Sequence, residues 1–400
     1  MRISTAGIHN AALGQMMAKS AALAKTQNQI AAGTRILTPA DDPIGAAQGL
    51  ELDRALAESQ QQGKNTTAAT NRLSLEEQTL GDATSLLQRV RDLTVEANNP
   101  TLDDGARKSI LSEVQVRYQD LVDLANRKDS NGEYLFSGYS TLTQPFVKSG
   151  GTVTYQGDDG TRVLQTGPSQ RVTDGHPGSA VFMNIPQGNG TFLTGADTAN
   201  TGSATIDVGT VTNATTWGAG GTFTIHFTSP TDYEVLDSTN TQISTGTYAS
   251  SGTGITINGA QVQITGDAAM DDKFTVGPAG AEDMFSAVGK LLTTLQRPSG
   301  STSQNAQFAT EMGQALKQID NSLERISDVR SEVGARLAVL SDSTDDQANR
   351  QLDLKTQLSQ IRDLDYADAI TTLNIQLSGL QAAQQSYAKI AGLNLFNYLR

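Results

Sequence analysis

Two adjacent carboxylates, Asp41 and Asp42, sit between Pro39 and Pro43. Paired carboxylates that share one site split their pKa values for acid-base work. Neighbours in a proline-bounded turn need not point the same way, and the spacing suits another role: one of them is expected to cap the following helix by accepting amides of its first turn. Asp158-Asp159 and Asp271-Asp272 repeat the pairing. A calcium loop needs about six or more oxygen ligands, in the order D-x-[DN]-x-[DN]-G with a closing Glu, and neither stretch has it. Both read as solvated turns. The three histidines, His9, His176 and His226, are far apart and form no H-E-x-x-H or comparable metal pattern. No G-x-S-x-G elbow, phosphate loop or dinucleotide fingerprint stands in a strand-helix context. The expectation is a protein that is not an enzyme, with no catalytic, cofactor or metal site.

Composition narrows the class further. A net charge of −13 over 400 residues, without a Lys/Arg cluster, argues against nucleic acid as a partner. No apolar run reaches the roughly 18 residues of a membrane-spanning helix, so no membrane is expected. Met1 to Leu23 has only Arg2 near its start, and His9, Asn10 and Gln15 break its apolar residues, so it does not read as a cleavable secretory signal. With no cysteine there are neither disulfides nor thiolate sites. Only 37% of residues are hydrophobic and 5% aromatic, which is lean for a compact globule and suits long, thin elements.

The composition changes twice along the chain. Residues 1 to about 131 are rich in Ala, Leu, Gln and charged residues, all good helix formers, and the same composition returns after Ala281. Between about Thr141 and Pro278 it gives way to Gly, Thr, Ser, Asp and Asn with short alternating runs such as Phe223, Ile225, Phe227, which read as strands. Thr152 to Gln156 and Arg162 to Gln165 flank a turn at Gly157 to Gly160, and Gly254 to Ile264 reads as another strand-like run. Gly218, Gly220 and Gly221, amid Thr and Ala, have loop composition, and the longer tract from Gly190 to Gly221 is rich in Gly and Thr.

The helical arms carry a seven-residue apolar spacing, which keeps one seam facing a partner helix. Leu73, Leu80 and Leu87 form one line, with Ala83, Val90 and Ala97 beside it. Leu111, Val114, Tyr118, Leu121 and Ala125 repeat the pattern, as do Met312, Ile319, Ile326, Val333 and Leu340. Packing these against one another brings the C-terminal arm back beside the N-terminal one. The fold class is therefore α+β: a discontinuous helical coiled-coil bundle built from the two arms, with one inserted β-rich domain. Residues 1-45 and 356-400 are expected to be terminal helices, 46-140 with 281-355 a helical rod, and 141-280 the β-rich outer domain. At the extreme ends Met16, Leu23 and Ile30 stand seven apart, as do Leu373, Leu380 and Tyr387, with Ile370, Leu377 and Ala391 on a second line. These end seams have no obvious partner in the same chain. That makes them the candidate assembly interface: Met16, Leu23, Ile30, Ile370, Leu373, Leu377, Leu380 and Tyr387.

Particular segments carry a resemblance. Gly33-Thr34-Arg35-Ile36 followed by Ala40-Asp41-Asp42 resembles the N-terminal stretch of the flagellin superfamily. Leu87 to Leu93 resembles that family's first long helix, Val329 to Leu337 its C-terminal partner, and Leu377 to Arg400 its closing amphipathic helix. Asn131 to Gly138, Tyr155 to Arg162 and Ile257 to Gly266 resemble the hook-filament junction branch of the superfamily in preference to flagellin itself.

The resemblance implies a structural subunit at the hook-filament junction, exported unfolded by the flagellar type III apparatus to an extracellular position. It implies self-assembly into a short tubular zone lined by the terminal helices. The implied neighbours are a proximal junction protein on the hook side and flagellin on the filament side. An export chaperone is implied at the C-terminal helix, on Leu373, Leu377 and Leu380. Two other readings compete. A flagellin subunit of the bulk filament would be abundant in sheared filaments. A glycan-binding adhesin on a helical stalk would need an aromatic platform, for which Trp217 is the only tryptophan.

Overall fold

The computed structural model describes residues 5–218, 220–297 and 300–391. The chain opens with three helices, α1 (Thr5–Ala32), α2 (Pro43–Ala97) and α3 (Asp104–Ala125). Strands β1 (Phe146–Ser149), β2 (Thr152–Tyr155), β3 (Val163–Gln165) and β4 (Arg171–Thr173) follow, then a short helix α4 (Gly178–Phe182) and strand β5 (Ile185–Pro186). Next come β6 (Phe192–Ala196), β7 (Thr205–Ile206), β8 (Thr210–Val211), the short α5 (Ala214–Trp217), β9 (Phe223–Ser229) and β10 (Asp232–Leu236). The sheets are completed by β11 (Gln242–Thr247), β12 (Thr253–Ile257), β13 (Ala260–Thr265), β14 (Lys273–Pro278) and β15 (Ala281–Glu282). Helices α6 (Met284–Leu295), α7 (Thr302–Arg362) and α8 (Tyr366–Ala391) close the chain. This is the α+β arrangement expected, with helical arms at both ends of the sequence and strands between them.

Two compact units result. One is Met1–Lys64 with Ser343–Arg400, the other Asn65–Asp342, and α2 and α7 contribute to both. In the larger unit the heptad lines become core. Leu73, Leu80, Leu87, Val114, Leu121, Met312, Ile326, Val333 and Leu340 are fully enclosed and belong to one cluster. Helix starts are set locally: Asp103 accepts the Ala106 amide at 2.7 Å ahead of α3, and Asp283 accepts that of Ser286 at 2.7 Å ahead of α6. Across the bundle, Arg330 on α7 meets Glu77 on α2 at 2.6 Å, and Arg91 on α2 meets Asp320 on α7 at 2.6 Å.

The strands serve two cores. Phe136, Phe146, Val153, Val172, Val181, Phe182 and Ile185 join the helical cluster, so β1 to β5 fill the side of the bundle. A second cluster runs from Phe192 to Val276. It is made by a five-stranded sheet, order β11-β10-β9-β14-β6, and a smaller sheet of β12, β13 and β7, with β8 also pairing β13. Strand β9 buries Phe223, Ile225 and Phe227 as their alternation predicted, with the intervening residues less covered.

Two expectations change here. Thr152 to Gln156 and Arg162 to Gln165 do not pair with each other: β2 pairs β1, and β3 pairs β4. Gly254 to Ile264 is not one strand but a hairpin in which Ile257 stands opposite Ala260. Its turn residues, Asn258 (φ 45) and Gly259 (φ 87), take the left-handed backbone that a two-residue hairpin requires. The Gly190 to Gly221 tract holds ordered elements. It supplies β6 to β8 and α5, and buries Trp217 at 5.3 Å from the Phe192 ring and 5.9 Å from Phe223, so the one tryptophan is core.

Candidate assembly surface

In the smaller unit α1 and α8 pack along each other. The end seams thus have a partner in their own chain, contrary to expectation, and the partner is the other end. Met16, Leu23 and Ile30 on α1, with Leu373, Leu377, Leu380 and Tyr387 on α8, are half-buried. His9 meets the Tyr387 ring edge-on at 5.7 Å. Ile370 is not in this seam: it is 48% exposed, and its neighbour Ala369 is buried instead. The resemblance extended to Arg400, but residues 392–400 lie outside those described.

The pairing is incomplete as a core. Among the described residues Ala369 is the one fully buried apolar side chain of this unit. Leu13, Met17, Ile370 and Ile375 remain exposed on α1 and α8, with Met17 at 63% and Ile375 at 66%. A helix pair with a half-covered seam and exposed apolar residues outside it is only marginally stable in water, because helices draw their stability from packing an apolar face. Leu13, Met17 and Ile375 were missed in the sequence. Leu13 and Met17 flank the α1 line, whereas Ile375 stands about 200° around α8 from Leu373, on another face of the helix.

The turn between α1 and α2 is where the paired carboxylates act. Asp42 Oδ1 accepts the Gly45 amide at 2.9 Å, capping α2 with Pro43 as its first residue, and Asp42 Oδ2 meets Arg35 at 3.1 Å. The Gly45 amide is the main cause of a carboxyl pKa held below its ordinary value. Asp41 Oδ2 accepts the Leu37 and Thr38 amides at 3.1 and 2.8 Å, while Oδ1 lies 2.6 Å from Lys25 Nζ. Lys25, then the Thr38 amide, hold the Asp41 pKa down to about 2. Both groups stay ionised at neutral pH, so this pair staples a turn and moves no proton. The Arg35 amide donates to the Arg362 carbonyl at 2.8 Å and the Leu364 amide to Gly33 at 3.1 Å, which ties the α1–α2 turn to the α7–α8 turn.

In the larger unit two of the segments resembling the junction branch, Asn131 to Gly138 and Tyr155 to Arg162, meet each other, while Ile257 to Gly266 belongs to the second core. Asp158 accepts the amides of Tyr139, Ser140 and Gly160 at 2.9, 2.9 and 2.8 Å, and the Tyr139 amide leads in lowering its pKa. Gly138, at φ 71, lies so close that a Cβ would come within 2.2 Å of the Asp158 carbonyl oxygen. Tyr155 donates to the carbonyls of Phe136 and Asp158 at 3.0 and 2.8 Å, and burial pushes its phenol up to about 12. Arg162 bridges Glu133 at 3.1 Å and Asp174 at 2.7 Å. Buried His176 stands between Glu76 of α2 at 2.8 Å and Glu332 of α7 at 3.2 Å. The charges here bind elements to one another.

Asp271 and Asp272 differ from the expected pair of solvated turns. Asp272 is buried and accepts the Thr201 and Ala269 amides at 2.8 Å each, whereas exposed Asp271 faces His226 at 3.2 Å. Among the described residues no group of three or more His, Cys, Asp or Glu is placed to hold a metal ion.

Two family models match the arms: the bacterial flagellin N-terminal helical region over residues 3–141 and the C-terminal helical region over residues 316–399. The flagellar hook-associated protein 3 of Salmonella typhimurium is 24% identical over 401 residues, covering 100% of both chains. The crystal structure of Xanthomonas campestris FlgL is 34% identical, with a TM-score of 0.74, over 77% of this chain and 99% of that one. Flagellar hook associated protein-3 from Legionella pneumophila is 31% identical, also with a TM-score of 0.74, over 78% and 98%. With both flagellin regions matched and two solved relatives aligned over nearly their whole lengths, this chain belongs to the flagellin superfamily, within its FlgL or hook-associated protein 3 family of structural flagellar components.

Proposed function

We propose that the chain is a structural subunit of the junction between flagellar hook and filament, assembled with copies of itself through α1 and α8. The observation that carries this is the terminal unit with one fully buried apolar side chain among its described residues and exposed apolar side chains on α1 and α8 outside the half-covered seam. Such a surface gains by being covered, and a tubular array of copies covers it at every position. The relatives' names support the location: one is a flagellar hook-associated protein, and FlgL from Legionella pneumophila is a flagellar junction protein.

The finer parts belong to the same proposal. A proximal junction protein meets the assembly on the hook side and flagellin on the filament side. Before assembly a chaperone covers Leu373, Leu377 and Leu380, and the type III apparatus exports the chain unfolded to the cell exterior. No chemistry is proposed for the chain: Asp41, Asp42, Asp158 and His176 hold turns and helices. Localisation of a labelled copy on isolated hook-filament preparations tests the reading. A narrow band at the junction, with the chain a minor component of sheared filaments, supports it. Label spread along the filament would replace it with the flagellin reading.

A further inference from the structure

Beside the turn that joins α1 to α2 lies a groove of about 220 Å³, walled by Ile36, Leu37, Pro39, Leu50 and Ile361. Its floor is opened by Gly45 and Gly49, and Arg362 meets Asp53 at 3.3 Å at its polar edge. Leu37 is 36% exposed and Leu50 59%, so the walls are presented to solvent. The volume falls below the roughly 300 to 1,000 Å³ of a small-molecule pocket, but it suits one or two apolar side chains of a peptide.

We propose that this groove takes residues 392–400 of a second copy of the chain. The inference rests on the assembly reading above and names one contact within it. That segment reads Gly-Leu-Asn-Leu-Phe-Asn-Tyr-Leu-Arg, in which the adjacent Leu395 and Phe396 supply the two apolar side chains that the groove takes. The copy's own segment cannot reach. Helix α8 begins at Tyr366, four residues past Arg362 at the groove, and runs to Ala391. At about 1.5 Å per residue this carries the chain roughly 38 Å away. The path back to Leu395 spans four residues, about 14 Å at full extension. The His9–Tyr387 ring contact places the far end of α8 beside the start of α1, whereas the groove lies past the end of α1. Occupation is therefore between copies, and it is heterologous: the tail of one subunit enters the turn region of the next, which propagates an array instead of closing a dimer.

Titration of the full chain with a fluorescent peptide of residues 392–400 tests the groove directly. Saturable binding is expected, weakened at least about tenfold by Leu50→Asp, a change at an exposed helix position that leaves the fold intact. Equal binding by the two chains, or no saturable binding, overturns the proposal. Because the chain has no cysteine, a second measurement is available on flagella. Leu50→Cys copies mixed with Leu395→Cys copies are expected to form an inter-copy disulfide. Leu395→Cys mixed with Val116→Cys, an exposed position of the larger unit, should form none. Filaments that stay attached with no Leu50–Leu395 disulfide overturn the groove contact while leaving assembly through α1 and α8 standing. If the cysteine variants do not support attachment, the peptide titration decides by itself.

Discussion

Lys25 Nζ lies 2.6 Å from Asp41 Oδ1, so charge ties the end of α1 to the turn that leads into α2. Asp41 titrates near 2 in the folded chain against 3.8 for the free side chain. Its folded-state pKa is depressed, so its contribution to stability is fully present above about pH 4 and is lost as pH falls through about 2. The protection of the Leu37 and Thr38 amides, relative to the intrinsic exchange rate at each pH, is expected to hold steady down to about pH 4 and to fall below it. Asp41→Asn should lower that protection at neutral pH and flatten the acid dependence. An unchanged acid profile in the variant would show that the carboxylate does not hold the turn.

Core and surface apolar residues should respond very differently. Leu80 is fully enclosed in the helical cluster, so Leu80→Ala is expected to cost about 2 to 5 kcal/mol. Ile375 is 66% exposed in the single chain, and Ile375→Ala should change its melt by less than about 0.5 kcal/mol. Thermal or urea unfolding of the purified proteins checks both values.

Gly138 combines a left-handed backbone with a Cβ position 2.2 Å from the Asp158 carbonyl oxygen. Gly138→Ala should therefore destabilise by more than about 1 kcal/mol, and release the Tyr139 and Ser140 amides that Asp158 accepts. Hydrogen exchange at those two amides reads the loss locally, and a wild-type exchange pattern in the variant would remove the strain argument.

The sheet core from Phe192 to Val276 is self-contained, which makes independent folding of the inserted domain a proposal with a sharper range. Residues 146–186 pack on the helices, so a fragment of residues 187–280 should melt cooperatively by itself. A random-coil spectrum from that fragment would refute it.

The helical bundle was legible because burial follows a fixed period. Leu73, Leu80 and Leu87 recur every seven residues, and all three are fully enclosed. The capping role of the Asp41-Asp42 pair was legible too, since an acid ahead of Pro43 has a local partner in the next turn. What could not be read was set by distant partners. Gly157 to Gly160 has hairpin composition, but Asp158 spends its carboxylate on amides of residues 139 and 140, and the flanking strands pair elsewhere. The same holds for Asp272, whose neighbours Thr201 and Gly202 lie about seventy residues away. His176 is buried between carboxylates of α2 and α7, and no local spacing marks it. The end seams looked unpartnered although the heptads already returned the C-terminal arm beside the N-terminal one, and it is that same return that brings α8 to α1.

Assembly through α1 and α8 is the central claim, and replacing Leu373, Leu377 and Leu380 together by polar residues tests it most directly. Each side chain is half-buried in the single chain, so each adds roughly half of the 1.5 to 3 kcal/mol of a fully buried one there, with more expected where a neighbouring copy completes its cover. The larger unit should melt unchanged, as sites with no shared partners are nearly additive. Cells carrying the variant are expected to build hooks, fail to retain filaments and shed flagellin into the medium. Normal filament attachment by the triple variant would contradict the account.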